Sequence, residues 1–343
     1  MLWNSETGIV AGESGMFLGK NEVKLLFPAE KILNVYHPVL KIEYKEGKDF
    51  SHVPGSGILQ RLPGSEIPVL PAEAIHPSPE KAILFPAPDA NAVRGGEDGK
   101  YMLFSAGNFF ALHQIEVNYK AVDGTVFPVN PKLNPGQLPR VKTLLRQGKN
   151  LRITLIGDSI SEGLNSTKQM NCPPFAPPYI ETVVKGLESK YHGTVELLNA
   201  AIGGTCSKQA FEIRDRWANL PCDLFLIAYG MNDFARTSPE EFRNIIQEIM
   251  QEKRSIHPET EFLLITSMSG NPLWKSLPAG ADLLFAEELK KLESETVAIA
   301  DVNHFWNEVR KRKDFYDITG NGVNHPNDYG YQLYAKVLLD LFR

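Results

Sequence analysis

Hydrophobic and polar positions change their rhythm near residue 150. Before it the apolar runs are short and β-like: residues 23–27, 40–44, 101–104, and 109–119 with its alternation around Leu112, Ile115 and Val117. Turns rich in Gly, Asp and Pro separate them, as at Gly95-Gly96-Glu97-Asp98-Gly99, and fourteen of the 24 prolines lie in this half. Short strands with frequent breakers predict an all-β sandwich, jelly-roll-like, over residues 1–127. Residues 128–149 are rich in proline at their start and lack a clear period, so they are expected to form a linker.

From residue 150 the pattern alternates. Apolar strand candidates at 151–156, 195–202, 224–229, 262–266 and 297–302 are separated by amphipathic stretches at 179–191, 238–256, 285–292, 305–312 and 329–342. The second of these opens with Ser-Pro-Glu-Glu, an N-terminal capping sequence. Continuous apolar strands alternating with helices predict a parallel sheet covered on both faces, a three-layer α/β/α domain over residues 150–343. In such a sheet, functional groups gather where the strands end at their carboxyl side.

Three predicted strand ends carry chemistry. The first ends in Gly157-Asp158-Ser159, the second in Asn199-Ala-Ala-Ile-Gly203-Gly204, the third in Gly230-Met231-Asn232-Asp233. Taken singly, each is an ordinary turn or helix start; the deduced sheet brings all three to one rim. A serine hydroxyl is a poor nucleophile unaided and needs a base, which His325 at the start of the last helix can supply. The oxygen that becomes negative during acyl transfer needs N–H donors. The backbone N–H groups of Ser159 and Gly204 and the side-chain amide of Asn232 are three such donors.

Composition narrows the field. The 343 residues are 43% hydrophobic and 22% charged with net charge −5, which gives no electrostatic case for nucleic acid or an anionic membrane. Cys172, Cys206 and Cys222 are too few and too scattered for a disulfide framework or a metal knuckle. No signal-like segment opens the chain and no run reaches membrane-spanning length, so a cytoplasmic protein is expected. The remaining seven histidines lack metal-ligand spacing, and the Lys253-Arg254 pair and the 311–313 cluster are read as helix-end charges.

Four motifs in order then carry a resemblance: Gly157-Asp158-Ser159-Ile160, the Gly203-Gly204 turn, Gly230-Met231-Asn232-Asp233 and Asn324-His325-Pro326. Over residues 140–343 the chain resembles the SGNH, or GDSL-type, hydrolase superfamily. The resemblance implies Ser159 as nucleophile, Gly204 and Asn232 as oxyanion donors and His325 as base, with neither metal nor organic cofactor. A β-sandwich before such a domain is also similar to carbohydrate esterases that remove acetyl groups from sugars.

One position departs from the family. The aspartate often found three residues before the histidine is here Gly322. Three supports for His325 are open: Asp317 folding back to form a triad, Asn321 or a backbone carbonyl leaving a dyad, or no effective support and weak catalysis. The expected function is a serine esterase acting on small acyl esters, foremost O-acetyl groups of a small-molecule or oligosaccharide substrate. The rivals are a lipid or other small-ester hydrolase, an acyltransferase, and a carbohydrate-binding protein with a weak or inactive hydrolase domain.

Overall fold

The computed structural model describes residues 2–95 and 100–343, so most of the expected 95–99 turn, positions 96–99, lies outside the described residues. The first half is strand-rich. It contains β1 (Ile9–Leu18), β2 (Glu22–Lys24), β3 (Ala29–His37), β4 (Ile42–Tyr44), β5 (Phe50–His52), β6 (Ile58–Arg61), β7 (Val69–Leu70), β8 (Ala92–Val93), β9 (Met102–Leu103) and β10 (Gln114–Ala121). They form a five-stranded sheet ordered β4-β3-β10-β1-β7, a three-stranded sheet β2-β6-β5 and the β8–β9 pair. In β10 the alternation is plain, because Ile115, Val117, Tyr119 and Ala121 all point into the core. In β1 it is not: Glu13 and Ser14 are buried beside Gly15 and Met16, and a register shift between Val10 and Glu13 breaks the period. That is why the longest strand of this half carries no readable signal.

The second half contains α1 (Pro139–Arg146), β11 (Leu151–Gly157), α2 (Ser159–Glu162), α3 (Tyr179–Tyr191), β12 (Val195–Asn199), β13 (Leu224–Ala228), α4 (Pro239–Ile256), β14 (Glu261–Ile265), α5 (Ala281–Lys290), β15 (Val297–Ala300), α6 (Val302–Arg310), α7 (Phe315–Ile318) and α8 (Asp328–Leu341). All five strands are parallel, ordered β12-β11-β13-β14-β15. Every residue of β14 is buried, as a strand covered on both faces must be. Helix α3 packs on α8, and α4 on α5. The strand order reverses at β11, so a crevice opens beyond its carboxyl end, between the segments that follow β12 and β13. No described helix is long and apolar enough to cross a membrane.

Two features bear on the boundary between the halves. The stretch read as linker contains α1, whose first N–H groups, those of Arg140 and Val141, donate to the Glu261 carboxylate at 3.1 and 2.8 Å. A carboxylate from β14 thus caps the helix from outside, a tertiary contact that no local pattern announces. One apolar core also runs from Val10 and Val117 through Ile153 and Leu263 to Tyr334. We therefore propose the division into 1–127 and 150–343 by sheet membership alone.

The two halves are joined by buried charge. Lys313, read as a helix-end cation, is fully enclosed, with Nζ 3.0 Å from Glu13 Oε1 and 3.5 Å from Asp317 Oδ2. It also donates to the Lys24 carbonyl at 2.7 Å. Glu13 completes its shell with the Tyr119 hydroxyl and the Leu26 N–H. Lys253 is likewise buried, donating to the carbonyls of Trp217 and Ala218 rather than facing solvent. Removing one member of a buried ion cluster strands the others and costs about 3–5 kcal/mol. Lys313→Met is therefore expected to lower unfolding free energy by an amount in that range. Urea melts of the variant and the parent measure it.

Candidate active site

Strand β11 ends at Gly157, and Asp158 caps the short α2 by accepting the Ile160 N–H at 3.0 Å. Burial, helped by the charge of Asp233, lifts the Asp158 carboxyl to about 7. The turn presents Ser159, only 5% exposed, toward the far end of the chain. There the segment from Thr319 to His325 brings the His325 Nε2 to 2.8 Å from Ser159 Oγ. Ser161, the other hydroxyl of the turn, is buried and bonded to the Tyr179 hydroxyl at 2.8 Å.

The donors expected for an oxyanion lie on the neighbouring strand ends. Gly203 N–H is already used, donating to Glu162 Oε2 at 2.6 Å. Gly204 has φ +78 and open space on its Cβ side, so its peptide is accessible to a substrate in a conformation that favours glycine. Its carbonyl accepts from Arg236 at 3.2 Å. Asn232 Nδ2 donates to the Thr205 carbonyl at 2.9 Å, which fixes the amide while leaving its second N–H free of that bond. Asp233 accepts from the Ser207 N–H and hydroxyl and so ties the β13 end to the loop that follows Gly204.

Neither side chain expected to support His325 does so. Asp317 accepts the Met16 N–H at 2.8 Å and the Asp314 N–H at 3.0 Å and faces Lys313. It joins the two halves and makes no bond to the histidine. Asn321 Oδ1 accepts the N–H groups of Val323, Asn324 and His325, so it shapes the turn. The ring's Nδ1 instead bonds Asn165 Oδ1 at 2.7 Å. Asn165 follows α2 and is 4% exposed at φ +65, a left-handed conformation in which asparagine is enriched. Its position in a loop distant in sequence from His325, with no motif around it, left it unread. The only available hint was an Asn shortly after the Gly163 that ends α2.

The missing aspartate has a steric cause. Gly322 lies at φ +85, and a Cβ there would come 2.6 Å from both the Leu103 carbonyl and the Phe110 ring. The strand-rich half occupies the space a side chain would need. The Ser105 N–H, from the same segment, donates to the Asn321 carbonyl at 3.1 Å. Without a carboxylate beside it, the half-buried His325 imidazole is pushed by desolvation from its ordinary 6.5 down to about 4.

The parallel five-stranded sheet covered by helices is a three-layer α/β domain of the SGNH type. The profile of the GDSL-like Lipase/Acylhydrolase family matches residues 155–333, more than half of the chain, and the chain belongs to that family. Among solved structures it is similar to an acetyl-xylooligosaccharide esterase from Geobacillus Stearmophilus (Axe2, as a variant): 18% identity, 56% of this chain and 94% of that one, TM-score 0.46. A two-domain esterase active on acetylated mannans, co-crystallised with mannopentaose, matches at 22% identity over 61% of this chain and 53% of its own, TM-score 0.46. A member of the lipolytic G-D-S-L family from Veillonella parvula matches at 17% over 56% and 97%, TM-score 0.43. No curated protein matches the chain.

The lowered histidine sets a pH expectation. For the role of general base proposed below, the ring must be neutral, so activity is expected to be lost as pH falls through the folded-state value. The same depression means that stability contributed by burying the neutral ring is present above about 6.5 and lost as pH falls through about 4. A kcat/KM profile on a neutral acetyl ester should stay level from pH 7 to about 5 and decline near 4. An acid limb centred near 6.5 would contradict the half-buried, carboxylate-free setting.

Proposed function

We propose that the protein is a serine esterase that hydrolyses small acyl esters, foremost O-acetyl groups on carbohydrates, through an acyl-Ser159 intermediate. The observation that carries the reading is the 2.8 Å contact between Ser159 Oγ and His325 Nε2, at the rim that also holds Gly204 and Asn232. Ser159 Oγ attacks the ester carbonyl as its proton passes to Nε2. Ser159 N–H, Gly204 N–H and the Asn232 amide hold the oxyanion, and His325 returns the proton to the departing alkoxide. Water then repeats the sequence on the acyl-enzyme.

One feature supports a short acyl group. The proline-rich loop after Asn165 is clamped, with Thr167 bonded twice to Asp328 at 2.9 and 2.6 Å and to Ala176 N–H at 2.8 Å. Pro178 closes on Gly163, where a Cβ would lie 2.8 Å away. A wall held this way is a poor lipid-binding flap. The strand-rich half also holds a cleft of about 910 Å³ whose wall includes Phe85, Phe104 and Phe109 and none of Ser159, Gly204, Asn232 and His325.

A fluorophosphonate should label the parent protein, and Ser159→Ala should abolish labelling without unfolding it; label persisting in the variant would remove the nucleophile. In a p-nitrophenyl series, kcat/KM is expected to be highest for acetyl and to fall with chain length. Higher values for octanoyl would favour the lipid-ester reading instead.

A further inference from the structure

The histidine's partner is an amide whose orientation is imposed by the other half of the molecule. Asn165 Nδ2 faces a row of backbone carbonyls, those of Ser105, Ala106 and Gly107, at 3.4, 3.2 and 3.5 Å. Carbonyl oxygens only accept, so the end of the amide that faces them must be the NH2 group. The opposite end, facing His325, is then Oδ1, which only accepts. Nδ1 must therefore carry its proton, and Nε2 presents a lone pair to the Ser159 hydroxyl. A chain of donors and acceptors thus runs from the strand-rich half to the nucleophile, each link setting the sense of the next. Close approach makes it possible: at Gly320 a Cβ would come 2.7 Å from Asn165 Cβ.

We propose that Asn165 is the positioning residue of a Ser159–His325–Asn165 unit, and that the carbonyls of residues 105–107 make the strand-rich half a working part of the catalytic apparatus. This deepens, and rests on, the serine-esterase reading. During attack the bond from Oγ to the carbonyl carbon forms as the Ser159 proton moves to Nε2. The Nδ1–H stays on the ring, donating to Asn165 Oδ1 throughout, and the Nε2 proton leaves with the alkoxide. An amide orients the ring and fixes its tautomer but supplies no full charge to the imidazolium. A wrong tautomer is costly: in a serine protease, exchanging the triad aspartate for asparagine presents the wrong partner to the ring and loses about 10⁴ in kcat.

Behind the amide, a cavity of about 30 Å³ also bears Glu116 from β10 and Asp328 from α8. Glu116 bonds the Tyr36 hydroxyl and Asp328 bonds Thr167, so neither replaces Asn165 at the ring.

Two variants at this position separate orientation from packing. Asn165→Gly tolerates the left-handed backbone and deletes the amide, and Asn165→Asp keeps the shape and adds a charge. Both are compared with the parent on p-nitrophenyl acetate, beside ¹⁵N spectra of the His325 ring, which need no turnover. The parent ring should show protonated Nδ1 and bare Nε2. Asn165→Gly should mix the tautomers and lower kcat at least ~10²-fold, a loss in the direction of the serine-protease case, with KM changed less than about threefold. Asn165→Asp should restore the Nδ1–H tautomer and move the acid limb of kcat/KM upward by about one pH unit or more, because an adjacent carboxylate favours imidazolium. Unchanged ring spectra and kcat in Asn165→Gly, or an unmoved acid limb in Asn165→Asp, would overturn the proposal. A parent protein with the stated tautomer but no esterase activity would sink the esterase reading and leave the positioning role of Asn165 standing.

Discussion

The segment from Thr319 to His325 is pressed against the strand-rich half so closely that position 322 has no room for a side chain. The Leu103 carbonyl and the Phe110 ring fill the volume a Cβ would take, and the backbone at Gly322 sits at φ +85. This contact determines what can stand beside the histidine. A carboxylate three residues before His325 would have to displace both neighbours. With that route closed, the ring turns its Nδ1 to Asn165, which reaches it from the loop after α2.

The acidic groups nearby serve other purposes. Asp317 has its two oxygens on backbone N–H groups and on Lys313, and its carbonyl accepts from Ser14 and Asn327. Gln114, on β10, adds bonds to the carbonyls of Tyr316 and Thr319. These buried polar links hold the strand-rich half in register with the turn that carries His325. Such a network is stabilising only when fully satisfied, because each unpaired member keeps its desolvation cost. The same contacts that join the halves therefore also define where the base can sit.

A neutral partner changes the electrostatics of the site. Partial burial without a counter-charge keeps the His325 ring neutral far below its usual range. The imidazolium formed during attack then gains less stabilisation than beside a carboxylate.

Periodicity carried the α/β architecture, because the buried parallel strands are continuous apolar runs and α3 and α4 each show one apolar stripe. The expected stretch at 179–191 coincides with α3, and Ser238 caps α4 through the Glu241 N–H. Ser159 and His325 could be picked out because each lies in a local motif, at a strand end and a helix start, and the structure brings their side chains to 2.8 Å. The irregular strands of the first half were less so, since β1 buries Glu13 and Ser14 for partners on distant elements. Helix α1 was hidden because its cap comes from Glu261, far along the chain. The support of His325 was decided by tertiary structure alone. Local sequence offered Asp317 and Asn321, both near the histidine along the chain, but hydrogen bonding depends on distance in space, and packing across the two halves brought Asn165 there instead.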